Sequence, residues 1–114
     1  MFGSLFGGGS SNNLDSKSFE EKLNSDKNGV LIDVRTKEEY QAIRIPGSKL
    51  IDIYDRSFKE KIEKLDKSKT YYVYCQSGSR SGQATKFMKQ MGFENVYNLA
   101  TGIGRWHGKT ESGR

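Results

Sequence analysis

At 114 residues the chain has room for one domain around one core, and with 33% hydrophobic residues that core must come from a few strongly patterned segments. The lone cysteine, Cys75, excludes an internal disulfide and any zinc site built on several thiolates, and no run approaches the ~18 apolar residues of a membrane span. The net charge of +5 is gathered late in the chain, where Arg80, Lys86, Lys89, Arg105, Lys109 and Arg114 face only Glu94 and Glu111. Such a field draws small anions. It argues against nucleic acid, because the aromatics sit in apolar runs and are not interleaved with a Lys/Arg stripe.

Residues 1–13, rich in glycine and serine, read as a flexible tail, with Phe2, Leu5 and Phe6 as the makings of a short docking peptide. The segment lacks the basic flank and long apolar stretch of a secretory signal, so a cytoplasmic location is expected. Ser18-Phe-Glu-Glu21 has the form of a capping box and opens a helix to about Asp26, with Phe19 and Leu23 on one face. Asn28-Gly29 marks a turn. Val30 to Val34 is a continuous apolar run that suits a strand buried on both faces. Thr36-Lys-Glu-Glu39 is a second capping box and starts a helix of one or two turns, and Pro46 forces its preceding residue out of helical geometry. Leu50 to Ile53 reads as a short strand. Ser57-Phe-Lys-Glu60 repeats the capping pattern before a helix carrying Phe58, Ile62 and Leu65. The lysines from Lys59 to Lys69 are nearly balanced by acids, as on a solvated helix face.

Tyr71 to Tyr74 is a buried strand that runs straight into Cys75. Gln76 to Ser81 is a loop, and from Ser81 a helix carries Ala84, Phe87, Met88 and Met91 inward to a glycine cap at Gly92. Val96 to Leu99 is a last strand, followed by a glycine-broken segment ending near Trp106. Strands alternating with helices imply an α/β domain with a mostly parallel sheet and helices on both faces. Ligands in such sheets bind beyond the carboxyl ends of the strands, which is where Cys75 lies.

The segment from Cys75 through Gln76, Ser77, Gly78, Ser79, Arg80 and Ser81 lies between a strand and a helix. Unpaired amides and the dipole at the helix start favour negative charge and lower a thiol pKa; the thiolate is the nucleophilic form. Gly78 lets successive amides turn inward as an anion nest. The serine hydroxyls add donors, and Arg80 is read with equal weight as an anion ligand or a surface ion-pair partner.

Cys-x-x-Gly-x-Arg-Ser in this loop resembles the active-site loop of rhodaneses. Leu31-Ile-Asp-Val-Arg35 with Glu38-Glu39-Tyr40, Ile45-Pro-Gly47, and Leu99 to Trp106 resemble three further blocks of that family, in order, across about Ser16 to Thr110. The resemblance implies a rhodanese-like domain over residues 14–110, with a C-terminal tail at 111–114, a central five-stranded sheet and a persulfide on Cys75. It implies a sulfurtransferase acting by double displacement, with a small anionic donor such as thiosulfate and a cyanide or thiol acceptor, or protein partners in either role, and no metal or organic cofactor. Two departures are visible. Ile43-Arg44 replaces the family's Gly-His, placing Arg44 where substrate would approach, and Thr101-Gly102 replaces Gly-Gly.

Two other functions share this fold. Phosphatase or arsenate reductase relatives carry Cys-x5-Arg, one residue longer than the Cys-x4-Arg here, and a non-catalytic interaction module would dispense with the cysteine. Asp33 and Arg35 are read as structural supports beside the site. His107 is read as exposed, and Trp106 as a packing anchor.

Overall fold

The computed structural model describes residues 12–113; Phe2, Leu5 and Phe6 lie outside the described residues. Five strands, β1 (Asn13–Leu14), β2 (Val30–Asp33), β3 (Lys49–Leu50), β4 (Thr70–Tyr74) and β5 (Asn95–Leu99), form one sheet in the order β1-β5-β4-β2-β3. Every pairing is parallel. Four helices connect them: α1 (Ser16–Ser25), α2 (Lys37–Ala42), α3 (Phe58–Glu63) and α4 (Ser79–Gln90).

The period of two along β4 divides the core. Tyr71, Val73 and Cys75 pack with Ile62 of α3 and with Ala84 and Met88 of α4. Tyr72 and Tyr74 pack on the other face with Phe19 of α1, as alternation along a strand requires. From β4 the chain steps outward to β5, and from β2 it steps the other way to β3. Right-handed crossovers then place the two connecting helices on opposite faces, which opens a crevice at the carboxyl ends of β2 and β4. Asp33 and Tyr74 are register partners at that crevice.

Several local expectations are corrected. Asp15, not Ser18, caps α1: its side chain accepts from the Ser18 amide at 2.8 Å. The helix gains an earlier start because the Ser16 hydroxyl accepts from the His107 amide at 3.0 Å, tying the first turn to the end of the domain. The Thr36–Glu39 capping box forms as read. The one at Ser57 does not, because the Ser57 hydroxyl is spent on Asp55 at 2.8 Å. Helix α4 begins at Ser79, with Gly78 as its cap, rather than at Ser81. Its far end closes as expected: Gly92 takes φ +100°, its amide reaches Lys89, and the Phe93 amide reaches Met88, the double bond of a Schellman turn. Regular pairing in β3 is confined to Lys49–Leu50, although the Ile51 and Ile53 amides still reach Asp33 and Val34.

Both ends of the domain extend past the expected limits. Asn13 pairs with Asn98 in β1, so the boundary drawn after residue 13 falls inside a strand. Glu111 forms an antiparallel bridge with Arg44.

Candidate active site

Cys75 follows the last residue of β4 and is 1% exposed. The chain then turns through Gln76 and Ser77 to Gly78, whose φ of +97° is open to glycine at little cost, and enters α4. This path wraps three donors around one sulfur. Sγ accepts from the Gly78 amide at 3.1 Å, the Ser81 amide at 3.3 Å and the Ser81 hydroxyl at 3.3 Å. Burial pushes the thiol pKa up, but the hydrogen bonds from Ser81, Gly78 and the Ser77 amide outweigh it, and the net shift is downward. Such a cradle favours the thiolate form over the thiol. The hydroxyls of Ser77 and Ser79 make no bond to the sulfur.

Arg80 is an ion-pair partner. Its guanidinium meets Glu39 through two parallel bonds of 2.8 and 2.9 Å, which raise its pKa. The same contact, with the Thr36 cap, lowers Glu39 to about 2, so this pair survives acidification well below the ordinary carboxylate range. The sequence shows Glu39 as a capping residue and as part of a family block, not as the partner of Arg80, which lies 41 positions away.

Asp33 and Arg35 form a support under the loop. The Asp33 carboxylate accepts from the Arg35 backbone and from Nε and Nη2 at 2.7–3.1 Å. The guanidinium also bonds the Ile43 carbonyl, touches Gln76 Oε1 at 3.4 Å and lies over the Tyr74 ring. Arg44 is not brought to the loop. It stacks on Tyr40 and bonds Glu111 Oε2 at 2.9 Å and the Gly113 carbonyl. The position that the resemblance marks for substrate approach is thus committed to the C-terminal segment.

Residues after β5 buttress the loop. The Ile103 amide bonds the Cys75 carbonyl at 2.9 Å and the Gly104 amide bonds the Gln76 carbonyl at 3.1 Å. A Cβ on Gly102 would stand 2.1 Å from the Gln76 oxygen, and Gly102 holds φ +72°. The sequence offered only the glycine itself as a signal of this approach. Trp106 packs edge-on against Phe19, and His107 is exposed.

The lowered thiol pKa has a direct consequence. Alkylation of Cys75 by iodoacetamide should rise with pH and level off above a midpoint that lies below the ordinary thiol range. Ser81→Ala, which removes one hydroxyl donor to the sulfur, should raise that midpoint and slow alkylation at neutral pH by about tenfold, since a hydrogen bond to a charged group is worth roughly one to two such factors. A midpoint equal to that of free cysteine would contradict the cradle.

Fold and site together define a class: a parallel α/β domain with a buried cysteine ringed by hydrogen-bond donors, between strand end and helix start at the sheet's switch point. The family model described as the rhodanese-like domain matches residues 15–109, and the chain belongs to that family. It is 37% identical over 98 residues to the Bacillus subtilis protein YtwF, named as a candidate sulfurtransferase, covering 86% of this chain and 92% of that one. It is 36% identical over 95 residues to the Bacillus subtilis protein YrkF, named as a candidate sulfur carrier protein, covering 83% of this chain but spanning 50% of that relative's length. The crystal structure of a rhodanese-like domain protein from Staphylococcus aureus superimposes with a TM-score of 0.77 at 25% identity, covering 90% of this chain and 99% of that one.

Proposed function

We propose that the chain is a sulfurtransferase that carries sulfane sulfur as a persulfide on Cys75. The observation that carries this reading is the convergence of the Gly78 amide and the Ser81 amide and hydroxyl on Cys75 Sγ. In the first half, the Cys75 thiolate attacks the outer sulfur of a donor such as thiosulfate. The donor's S–S bond breaks, sulfite leaves with the electron pair, and Cys75–S–S⁻ forms. The negative charge now lies on the outer sulfur, and the inward-facing loop amides offset it as an oxyanion hole does. In the second half, cyanide or a thiol attacks that outer sulfur and restores the thiolate, a double displacement with ping-pong kinetics.

Cys75 is 1% exposed, and in this chemistry only a sulfane sulfur need reach it, so a protein persulfide can serve as donor in place of thiosulfate. The bidentate Glu39 contact on Arg80 and the short loop disfavour a phosphatase, which needs a free arginine around a tetrahedral ester.

The reading is tested by intact mass. Reduced protein incubated with thiosulfate and desalted should gain roughly one sulfur atom, lose it to cyanide, and gain none as Cys75→Ser, because the activated nucleophile is gone. Silence from thiosulfate, mercaptopyruvate and a persulfidated cysteine desulfurase alike would overturn the proposal.

A further inference from the structure

Asn98 stands on β5, two residues beyond Val96 and on the same α4-facing side, and is 3% exposed. Alternation calls for an apolar side chain there. Its amide nitrogen is fully used: Nδ2 donates to the Gly78 carbonyl at 3.3 Å and to Asn13 Oδ1 at 2.9 Å. Its Oδ1, although buried, has no hydrogen-bond partner among the described residues. Turning the amide over would not repair this, because Oδ1 would then face two acceptor oxygens. A buried acceptor without a donor weakens a fold, so an aliphatic residue of similar size would serve the sheet better.

What the amide does hold is one peptide plane of the active-site loop. The Gly78 carbonyl and the Ser79 N–H belong to the same planar trans peptide and point in opposite directions. Asn98 and the Gly82 amide, at 3.0 Å, anchor the carbonyl from beneath. The Ser79 N–H is thereby turned toward the mouth of the loop, where no described group accepts from it. Nor does it bond Cys75 Sγ, whose donors are the Gly78 amide and the Ser81 amide and hydroxyl.

We infer that Asn98 is a positioning residue: by fixing the Gly78 carbonyl it aims the Ser79 amide at the place where the outer sulfur of the Cys75 persulfide gathers its charge. This rests on the sulfurtransferase reading. Asn98 thus acts on the persulfide and not on the resting thiolate.

The test uses Asn98→Leu, which keeps the branched shape without the polar atoms, and Asn98→Ala, in case the larger leucine crowds Gly82. Three quantities are read on each: the rate of sulfur loading from thiosulfate, the pH midpoint of Cys75 alkylation, and Tm. Loading is expected to fall roughly tenfold, less than the about 10²–10³ of losing an oxyanion donor outright, while the alkylation midpoint stays in place. Asn13→Ala, which cuts the other bond of the same amide but leaves the one to the Gly78 carbonyl, should lose less loading than Asn98→Ala. Folded variants that load at the wild-type rate would overturn the role of Asn98 alone. A midpoint that moves together with loading and Tm would also overturn it, by showing general loss of loop order. A wild type that takes no sulfur from any donor would fail the parent reading, and this inference with it.

Discussion

Gly78→Ala is expected to lose both stability and sulfur loading, and to do so for two separable reasons. The φ of +97° at Gly78 costs an alanine about 1–2 kcal/mol in the left-handed region. The added Cβ would also stand 1.9 Å from the Ala100 carbonyl oxygen and 2.7 Å from its carbon. Both are backbone atoms, so no side chain can swing aside, and overpacking of this kind costs about a further 1–3 kcal/mol. The loop must instead part from the segment after β5, and the Gly78 amide leaves the sulfur with it. Gly47→Ala is the matched comparison: φ is +84° and nothing lies within 4 Å of the added carbon. That variant should show the backbone cost alone and load sulfur normally. Urea melts with loading rates on both proteins separate the terms; equal losses of stability would mean that the close approach to Ala100 is not present in solution.

Asp33→Ala is expected to destabilise the chain by about 3–5 kcal/mol, the usual effect of stranding one charge of a buried pair. Arg35 and Asp33 are 1% and 0% exposed and meet at 2.7 Å. Against a total stability of about 5–15 kcal/mol for a domain of this kind, such a loss removes a large fraction of the folding free energy. The cost comes from the uncompensated guanidinium rather than from any net gain the pair supplies. The double variant Asp33→Val, Arg35→Met should therefore recover much of it, since apolar replacement of both partners is often near neutral. Recovery will be incomplete, because Arg35 also holds the Ile43 carbonyl and Gln76. Denaturant midpoints of Asp33→Val, Arg35→Met and the double complete the cycle. A double variant no more stable than Asp33→Ala would show that the hydrogen bonds of Arg35, and not the stranded charge, set the loss.

The boundaries of α1, α3 and α4 show where local reading stops short. The motif marks Ser18 as the cap of α1, but Asp15 takes that place and accepts from the Ser18 amide. Asp15 wins because Ser16 is also needed against His107, a contact between residues 91 positions apart. At Ser57 the competing acceptor, Asp55, lies two residues upstream and was visible, but the motif alone does not rank the two bonds. Helix α4 starts earlier than its apolar stripe, since Gly78 turns the chain while the stripe begins only where side chains reach the core.

The site divides in the same way. The meeting of Cys75, Gly78 and Ser81 was legible because all three lie within one loop of a few residues, where strand end, glycine turn and helix start fix the geometry locally. The role of Arg80 was not. Whether its guanidinium stays free for an anion depends on Glu39, and only the packing of α2 over the loop brings them together. Arg44 was read toward substrate and lies instead on Tyr40 and the C-terminal segment, because the bridge to Glu111 forms only once the chain has closed on itself.

By itself, then, the sequence determined what depends on short range and on period: alternating buried strands and amphipathic helices, hence a parallel α/β sheet, and a cysteine at a strand end facing a helix start. The tertiary structure alone decided what depends on meetings between distant segments. Asn13–Leu14 carries no strand signal, yet it pairs with β5, because the unpaired carbonyls and amides of an edge strand accept whatever backbone is laid beside them. Asn98 and Gly102 likewise gain their places under the Cys75 loop only where β5 and the chain after it pack against that loop. Periodicity along a chain records which face is buried; it holds no record of what lies across the contact.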